Sequence, residues 1–344
     1  MPQPGNTHIF LTGATGYIGG SVLANLLNHP KSDSFHITVL IRSEEKLPKF
    51  RSVGVKAVIG SHSDTTLLSK LASEADVVFA CADADNLDAA KAILSGLQKR
   101  YDAKGRASIL IHTSGIAVLG DNAAGKYGTE TIYSDLNVEQ IESLKPTQMH
   151  REVDLEIVSA DQKGFVKTFI VLPSTIYGIA SGPLVDLGVQ HSHSQQIPAL
   201  VKASLDRGQG GMVGEGKNLW PNVHVDDISD LFIAVYDAAT KNQPTGGQVG
   251  HGLEGFYFGE NGEHRLYDIS KTVSQVLYDL GKGKSPEPTT FTEEELLKYF
   301  GGAYLGSNSR CRAERSRSIG WNPKYTTQDM LASIKPEVEA SLSG

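Results

Sequence analysis

The stretch "FLTGATGYIGG", Phe10 to Gly20, decides the fold of this chain. It places Gly13, Gly16 and Gly19 directly after the apolar run "HIFLT". Apolar side chains then recur at helical spacing: Val22, Leu23, Leu26 and Leu27. Glycines at a strand-to-helix turn permit a tight bend and let backbone N–H groups approach a pyrophosphate, which the helix N-terminus also attracts. The stretch therefore predicts a dinucleotide-binding loop.

The end of the second predicted strand indicates which dinucleotide binds. That strand ends in "VLIRSEEK", so Arg42 stands where a site for NAD usually carries an acidic residue for the ribose 2′-OH. An arginine there suits the 2′-phosphate of NADP. We expect NADP(H), with NAD left open because Glu44 and Glu45 follow closely. The residues expected to contact the cofactor are Gly13, Thr15, Gly16, Tyr17, Ile18, Gly19, Arg42, Ala82, Thr113 and Pro173.

The N-terminal half alternates short β-branched runs with longer amphipathic stretches, which is typical of a parallel sheet covered by helices. Six strands are predicted: His8–Gly13, His36–Arg42, Val55–Gly60, Ala75–Cys81, Ala107–Gly115 and Val166–Pro173. The predicted fold class is therefore α/β, a Rossmann-type doubly wound parallel sheet with a smaller C-terminal substrate-binding lobe.

The sequence becomes rich in glycine, serine and histidine after Pro173, which indicates a second lobe. We predict an NAD(P)-binding domain over residues 1–178, to which residues 222–250 return. Residues 179–221 and 251–344 form the substrate lobe. Within the returning segment, Val223–Ala239 is predicted as a helix with Asp226 or Asp227 as its N-cap.

Composition narrows the function classes. The chain has 344 residues, of which 40% are hydrophobic and 21% charged, and its net charge is −7. That acidic balance argues against a general nucleic-acid binder, and no apolar run approaches the roughly 18 residues that span a bilayer. Cys81 and Cys311 are far apart, and His191 and His193 lack a third ligand, so no metal site is expected. We expect a cytoplasmic protein that acts on a small molecule.

Five motifs in order resemble the extended short-chain dehydrogenase/reductase family, which includes NAD-dependent epimerases and dehydratases. They are "TGATGYIGG", "TSGIAVLG" (Thr113–Gly120), "LPSTIYG" (Leu172–Gly178), "VHVDD" (Val223–Asp227) and "SIGWNP" (Ser318–Pro323). The resemblance covers nearly the whole chain and implies a substrate cleft between two lobes. It also implies that two helices of the cofactor lobe can form a homodimer, which we leave open.

The sequence departs from the family at the position of its catalytic pair. Members that transfer hydride use a tyrosine as acid/base, a lysine four residues later and a serine or threonine. The helix in that register, Pro146–Ala160, contains neither tyrosine nor lysine. At the position where the family carries this serine, the chain has Gly115, and Ser114 precedes it. The chain therefore resembles the atypical branch of the superfamily, and we expect it to lack the YxxxK pair.

Three residues are candidates for the missing chemistry: Ser114, His150 and Tyr133. His150 stands near the lysine position and is expected to pair with Asp154, four residues later on the same predicted helix. Ser114 is a donor for a carbonyl oxygen, and it equally suits a cap at a strand end. Tyr133, with Tyr127, lies in a long loop expected above the nicotinamide, where either phenol is an alternative acid or a packing residue.

Two classes of function remain at this point. The first is an atypical NADP(H)-dependent oxidoreductase acting on a carbonyl-containing small molecule, which a complete second lobe favours. The alternative is an NAD(P)-binding redox sensor of NmrA-like type, which the missing pair favours. A non-redox epimerase or dehydratase stays open as well, since the fold does not fix the function.

Overall fold

The computed structural model describes residues 6–240 and 249–343. The strands are β1 (Thr7–Thr12), β2 (Phe35–Ile41), β3 (Lys56–Ile59), β4 (Val77–Ala80), β5 (Ser108–Thr113), β6 (Tyr133–Ser134), β7 (Val166–Pro173), β8 (Thr175–Tyr177), β9 (Gly211–Met212), β10 (Leu219–His224), β11 (Phe256–Gly259), β12 (Glu263–Arg265), β13 (Thr289–Thr290) and β14 (Cys311–Arg312). The helices are α1 (Tyr17–Leu27), α2 (Leu47–Ser52), α3 (Thr65–Ser73), α4 (Leu87–Lys104), α5 (Val138–Glu142), α6 (Arg151–Gln162), α7 (Pro183–Asp186), α8 (Gln196–Arg207), α9 (Val225–Thr240), α10 (Leu266–Asp279), α11 (Glu293–Phe300), α12 (Glu314–Ser318) and α13 (Thr327–Ser343).

A seven-stranded sheet forms the centre of the molecule, in the order β11-β7-β5-β4-β1-β2-β3. All its neighbouring strands are parallel, and helices flank it, so the predicted doubly wound α/β fold is confirmed. The six predicted strands are all present, with ends displaced by no more than two residues. The strand order reverses between β1 and β4, and ligands of such sheets bind outside the carboxyl ends of the strands at this switch point.

The seventh strand, β11, comes from the segment assigned to the substrate lobe. Phe256 pairs with Ile170 of β7 and Phe258 with Leu172. Its aromatic residues are buried against the main core. The predicted return of residues 222–250 to the cofactor side is therefore too short, because residues 256–259 belong to the same sheet.

A second, smaller hydrophobic cluster lies beyond the sheet. Its buried members come mainly from α8, α10 and α13: Ile197, Leu200, Val201, Ala203, Leu266, Ile269, Val273, Leu277, Met330, Ile334 and Val338. Tyr177 of β8 also belongs to it and donates its hydroxyl hydrogen to the carbonyl oxygen of Thr326 at 2.7 Å. The C-terminal helices thus pack around the strand that leads away from the sheet.

The start of α9 differs from the prediction. The helix begins at Val225, so Asp226 and Asp227 lie in its first turn and neither is the N-cap. Asp227 is buried, and its carboxylate accepts hydrogen bonds from the backbone N–H groups of Lys324 and Tyr325, both at 2.9 Å. The Trp321 indole N–H donates to the Asp227 carbonyl oxygen at 2.7 Å. Asp227 therefore fastens the "GWNP" segment to the cofactor-side helix.

Asp227→Asn is expected to lower the free energy of unfolding by about 1–3 kcal/mol, because an amide cannot accept from both N–H groups and leaves a buried donor unpaired. Urea denaturation measures the loss. Asp226→Asn is the matched control, since the Asp226 side chain is 62% exposed, and its effect should stay within about 0.5 kcal/mol. Equal losses in the two variants would show that Asp227 does not carry this attachment.

Across residues 6–240 and 249–343, every helix falls short of the length and apolarity needed to cross a membrane.

Candidate functional site

The glycine loop lies directly against the end of β4. Gly13 has a φ of +77°, and a Cβ added there would stand 2.6 Å from the Cys81 carbonyl oxygen. A Cβ on Gly19 would stand 2.3 Å from the carbonyl oxygen of Gly13. Gly16 caps α1 without a side-chain hydrogen bond, so the N–H groups of the first turn have no partner from the cap residue. This backbone cradle fits the pyrophosphate of a dinucleotide.

A groove of about 460 Å³ opens beside this loop at the carboxyl ends of β1, β4 and β5, a size in the range of small-molecule sites. The residues that line it are Gly16, Tyr17, Ile18, Cys81, Ala82, Asp83, Ala84, Asp85, Thr113, Ser114, His150, Ser174, Ile176, Ser194, Gln195 and Gln196. Five of the expected cofactor residues are among them, as are Ser114 and His150. We call this cavity the groove.

Four other expected cofactor residues neighbour residues of the groove lining: Gly13, Thr15, Gly19 and Pro173. Gly13 packs against the backbone of Cys81 and Ala82, which line the groove, and Gly19 packs against Gly13. Thr15 is joined to the far wall, because its carbonyl oxygen accepts the His191 N–H at 3.0 Å. Pro173 ends β7, and the next residue, Ser174, lines the groove in its place.

A wider depression of about 910 Å³ lies at the opposite edge of the sheet, near the amino ends of the strands. His8, His36, Asp76 and Arg100 are among its lining residues. Arg100 is already paired with Asp76. Open parallel sheets bind their ligands at the carboxyl edge, so the groove is the candidate site.

His150 enters the groove from a position that differs from the prediction. Helix α6 begins at Arg151, and His150 precedes it as the N-cap residue with a φ of +67°. The predicted His150–Asp154 pair is therefore wrong. Instead, Nδ1 of His150 lies 2.7 Å from Oδ1 of Asp85, in the loop after β4. The His150 side chain is 15% exposed and that of Asp85 is 57% exposed.

Gly115 makes room for the imidazole. A Cβ at this position would lie 2.8 Å from Nε2 of His150. The Gly115 backbone is extended, with a φ of −164°, so space rather than conformation calls for a glycine. The family carries a serine at the position of Gly115 and a lysine near the position of His150. In this chain the glycine leaves the space that the histidine fills.

Ser114 and Asp154 form a buried hydrogen bond on the same wall. The Ser114 hydroxyl donates to Oδ2 of Asp154 at 3.1 Å. Asp154 lies in the first turn of α6 and is fully buried, and this burial raises its pKa to about 7. The carboxyl predicted to orient His150 therefore contacts the other catalytic candidate.

Arg42 directly follows β2 and is exposed. Within the part of the chain that the structure describes, its guanidinium has no hydrogen bond or ion pair. Lys46, by contrast, donates to the carbonyl oxygen of Val189 at 3.1 Å. Arg42 therefore leaves its donors available at the strand end where a 2′-phosphate is expected.

The loop before α8 closes the groove and contributes Ser194 and Gln195, with Gln196 from the first position of α8. Sequence reasoning interpreted this segment as a polar loop of the substrate lobe but named none of these three as site residues. Gln190 anchors this loop to α1, donating from Nε2 to the Ser21 hydroxyl oxygen at 2.9 Å. His193 anchors it to α13, with Nδ1 2.7 Å from Oε2 of the buried Glu337. The polar "QHSHSQQ" composition was its signal in the sequence. No group of three metal-ligating side chains occurs among the described residues.

Tyr133 lies outside the groove. It belongs to β6, which pairs with β14, where Tyr133 lies opposite Cys311. Tyr127 is 52% exposed and is likewise absent from the groove lining. The structure therefore brings Ser114 and His150 together and leaves the tyrosine candidate aside.

The YxxxK spacing does occur, away from the groove. Tyr267 and Lys271 lie on α10, where both bond to Glu287. Tyr278 lies in the last turn of that helix and is 50% exposed, whereas Lys282 lies three residues beyond the helix end. Helix α6, which corresponds to the family's catalytic helix, contains neither tyrosine nor lysine.

Comparisons with known proteins identify a nucleotide-binding domain and relatives of similar length. Residues 13–137 match the model of an NAD(P)H-binding family. The chain is 30% identical over 331 residues to oxidase ucsJ of an Acremonium species, covering 92% of each chain. It is 26% identical over 336 residues to an uncharacterized protein of Schizosaccharomyces pombe, covering 93% of this chain and 96% of that protein.

Solved structures share the fold at low sequence identity. A UDP-glucose 4-epimerase of Thermotoga maritima superposes with a TM-score of 0.65 at 14% identity, covering 97% of this chain and 99% of that chain. A dTDP-glucose 4,6-dehydratase of Bacillus anthracis in complex with NAD gives a TM-score of 0.64 at 17% identity, covering 98% of this chain and 97% of that chain.

Proposed function

Because the chain belongs to the family of the Acremonium oxidase, has an NAD(P)H-binding domain over residues 13–137 and shares the fold of extended short-chain dehydrogenases/reductases, we propose that it is an atypical NADP(H)-dependent oxidoreductase acting on a carbonyl group of a small molecule. One observation carries the proposal: an Asp85–His150 pair lies beside Ser114 in the groove, at the switch point of an NAD(P)-binding sheet. These residues supply an acid/base and a hydroxyl donor where the usual tyrosine and lysine are missing.

The residues that would hold the cofactor follow from the loop and the strand end. The first turn of α1 and the loop backbone bind the pyrophosphate, and Arg42 binds the 2′-phosphate. The nicotinamide supplies the hydride when bound. The chain's own groups then have two tasks, to orient the carbonyl group and to provide one proton.

Ser114 takes the first task and His150 the second. The Ser114 hydroxyl donates a hydrogen bond to the carbonyl oxygen. His150 delivers the proton that completes the alcohol, and Asp85 stabilises its imidazolium by accepting from Nδ1–H. In the oxidation direction His150 accepts the proton. Because Asp85 occupies Nδ1, Nε2 is the ring atom left to exchange the proton.

The relatives support a redox role. The Acremonium relative is named an oxidase, and it matches this chain over nearly its whole length. The epimerase and dehydratase structures share the fold at identities too low to carry their reactions over. We therefore place net hydride transfer before the non-redox alternative.

The test is a panel of ketones, aldehydes and quinones with the purified protein and NADPH. We expect consumption of NADPH together with an equal amount of reduced product, and transfer of deuterium from labelled NADPH to the product carbon. Product formed without net consumption of NADPH would favour an epimerase or dehydratase. Tight nucleotide binding with no turnover across the panel would favour the redox sensor.

A further inference from the structure

A carboxyl group stands directly behind the groove wall. Asp154 has no exposed surface, and Ser114, which does line the groove, is 5% exposed. Oδ2 of Asp154 accepts from the Ser114 hydroxyl, while Oδ1 has no hydrogen-bond partner. A buried carboxylate oxygen without a partner is costly, whereas a carboxyl proton relieves part of that cost.

The charges around Asp154 do not outweigh its burial, so its pKa stays well above that of a free carboxyl. Arg151 lies on the same helix, with its guanidinium 5.8 Å from the Phe256 ring, and none of the ion pairs of the described residues joins it to Asp154. His112 on β5 is neutral, because burial lowers its pKa to about 3. Asp85, in the loop after β4, is engaged by His150. Burial is thus the largest influence on the Asp154 pKa, which it raises, and Arg151 and Ser114 oppose it.

We propose that Asp154 is a positioning residue whose proton decides whether Ser114 offers the groove a hydrogen-bond donor or only an acceptor. A serine hydroxyl has one hydrogen. When Asp154 is ionised, that hydrogen is donated to the carboxylate and Ser114 presents lone pairs to the groove. When Asp154 is neutral, its own O–H donates to Ser114, and the serine hydrogen is free for a substrate.

This arrangement makes the groove selective for the oxidation state of its substrate. The inference rests on the proposed function. A carbonyl oxygen only accepts, so it needs the neutral form of Asp154. An alcohol can donate to Ser114, so it is also held by the ionised form. As the pH rises through about 7, binding of the carbonyl substrate should weaken while binding of the alcohol is maintained or strengthened.

Asp154→Asn tests the inference, because the asparagine amide can donate to Ser114 at every pH and so imitates the neutral acid. In the unmodified protein, the KM for the carbonyl substrate should rise by about tenfold for each pH unit above the Asp154 pKa. In the variant, KM should be nearly independent of pH. A variant that keeps the original KM profile would overturn the inference.

The matched control is Asp161→Asn. Asp161 lies near the other end of α6 and also accepts from a hydroxyl, that of Thr168 at 3.2 Å. It is absent from the groove lining. This variant is expected to keep the original dependence of KM on pH even if it is less stable, which separates a positioning effect from general damage to the helix.

Infrared spectroscopy of the protein without substrate gives a readout independent of turnover. The C=O band of a neutral carboxyl should disappear as the pH rises through about 7, should be absent from Asp154→Asn and should shift in frequency in Ser114→Ala. An Asp154 that is ionised throughout that range would overturn the inference. Failure of the substrate panel would instead count against the proposed function, because the infrared result does not depend on it.

Discussion

His150→Ala lowers kcat for carbonyl reduction by about 10²- to 10⁴-fold, the range expected when a general acid is removed. The physical reason is that alanine cannot provide the proton that balances hydride arrival. Affinity for NADPH should change little, since the pyrophosphate cradle and Arg42 are untouched. Steady-state kinetics and calorimetry measure the two quantities separately.

The size of the loss alone does not identify proton transfer, so added imidazole provides a second measurement. In the unmodified protein the His150 ring lies directly against Gly115, which has no Cβ. Removal of the ring leaves a space there that free imidazole can occupy. We expect partial recovery of kcat with imidazole. His191→Ala is the matched control, because His191 bonds to the His193 carbonyl oxygen and is absent from the groove lining. Unchanged turnover in His150→Ala would leave His150 a structural role only.

Arg42→Ala weakens NADPH binding by about 10- to 100-fold, the worth of one or two hydrogen bonds to a charged group. NADH lacks the 2′-phosphate, so its affinity should remain within about twofold. Calorimetric titration with NADPH, NADP⁺, NADH and NAD⁺ under one buffer condition measures the difference. Arg51→Ala is the matched control, because it also removes an exposed arginine, from helix α2. It should leave the ratio of NADPH to NADH affinity unchanged.

An equal loss of NADPH and NADH affinity in Arg42→Ala would refute the assignment of Arg42 to the 2′-phosphate. The adjacent Glu44 and Glu45 would then be the better candidates to contact a ribose, which would favour NAD. Higher salt should also reduce the preference for NADPH, because Arg42 is exposed and its charge is screened by ions.

The sequence by itself determined the cofactor half of the molecule. Three glycines between a strand and a helix, and the alternation of β-branched and amphipathic runs, are local patterns. Each of these patterns is contained within the residues that form the corresponding strand, helix or turn. Six strands and the glycine loop were therefore predicted close to their observed positions. The start of α6 was misplaced because Gln148 donates to the carbonyl oxygens of Val118 and Gly120, contacts that helical spacing does not reveal.

Only the tertiary structure decided how the catalytic candidates are combined. Asp85 and His150 are 65 residues apart in sequence, and Asp154 turned from the predicted partner of His150 into the partner of Ser114. Strand β11 and the groove residues Ser194–Gln196 also reach their places through distant contacts. Spacing along the chain specifies a helix face or a turn, whereas side chains from separate strand ends meet only when the sheet has aligned those ends at one edge.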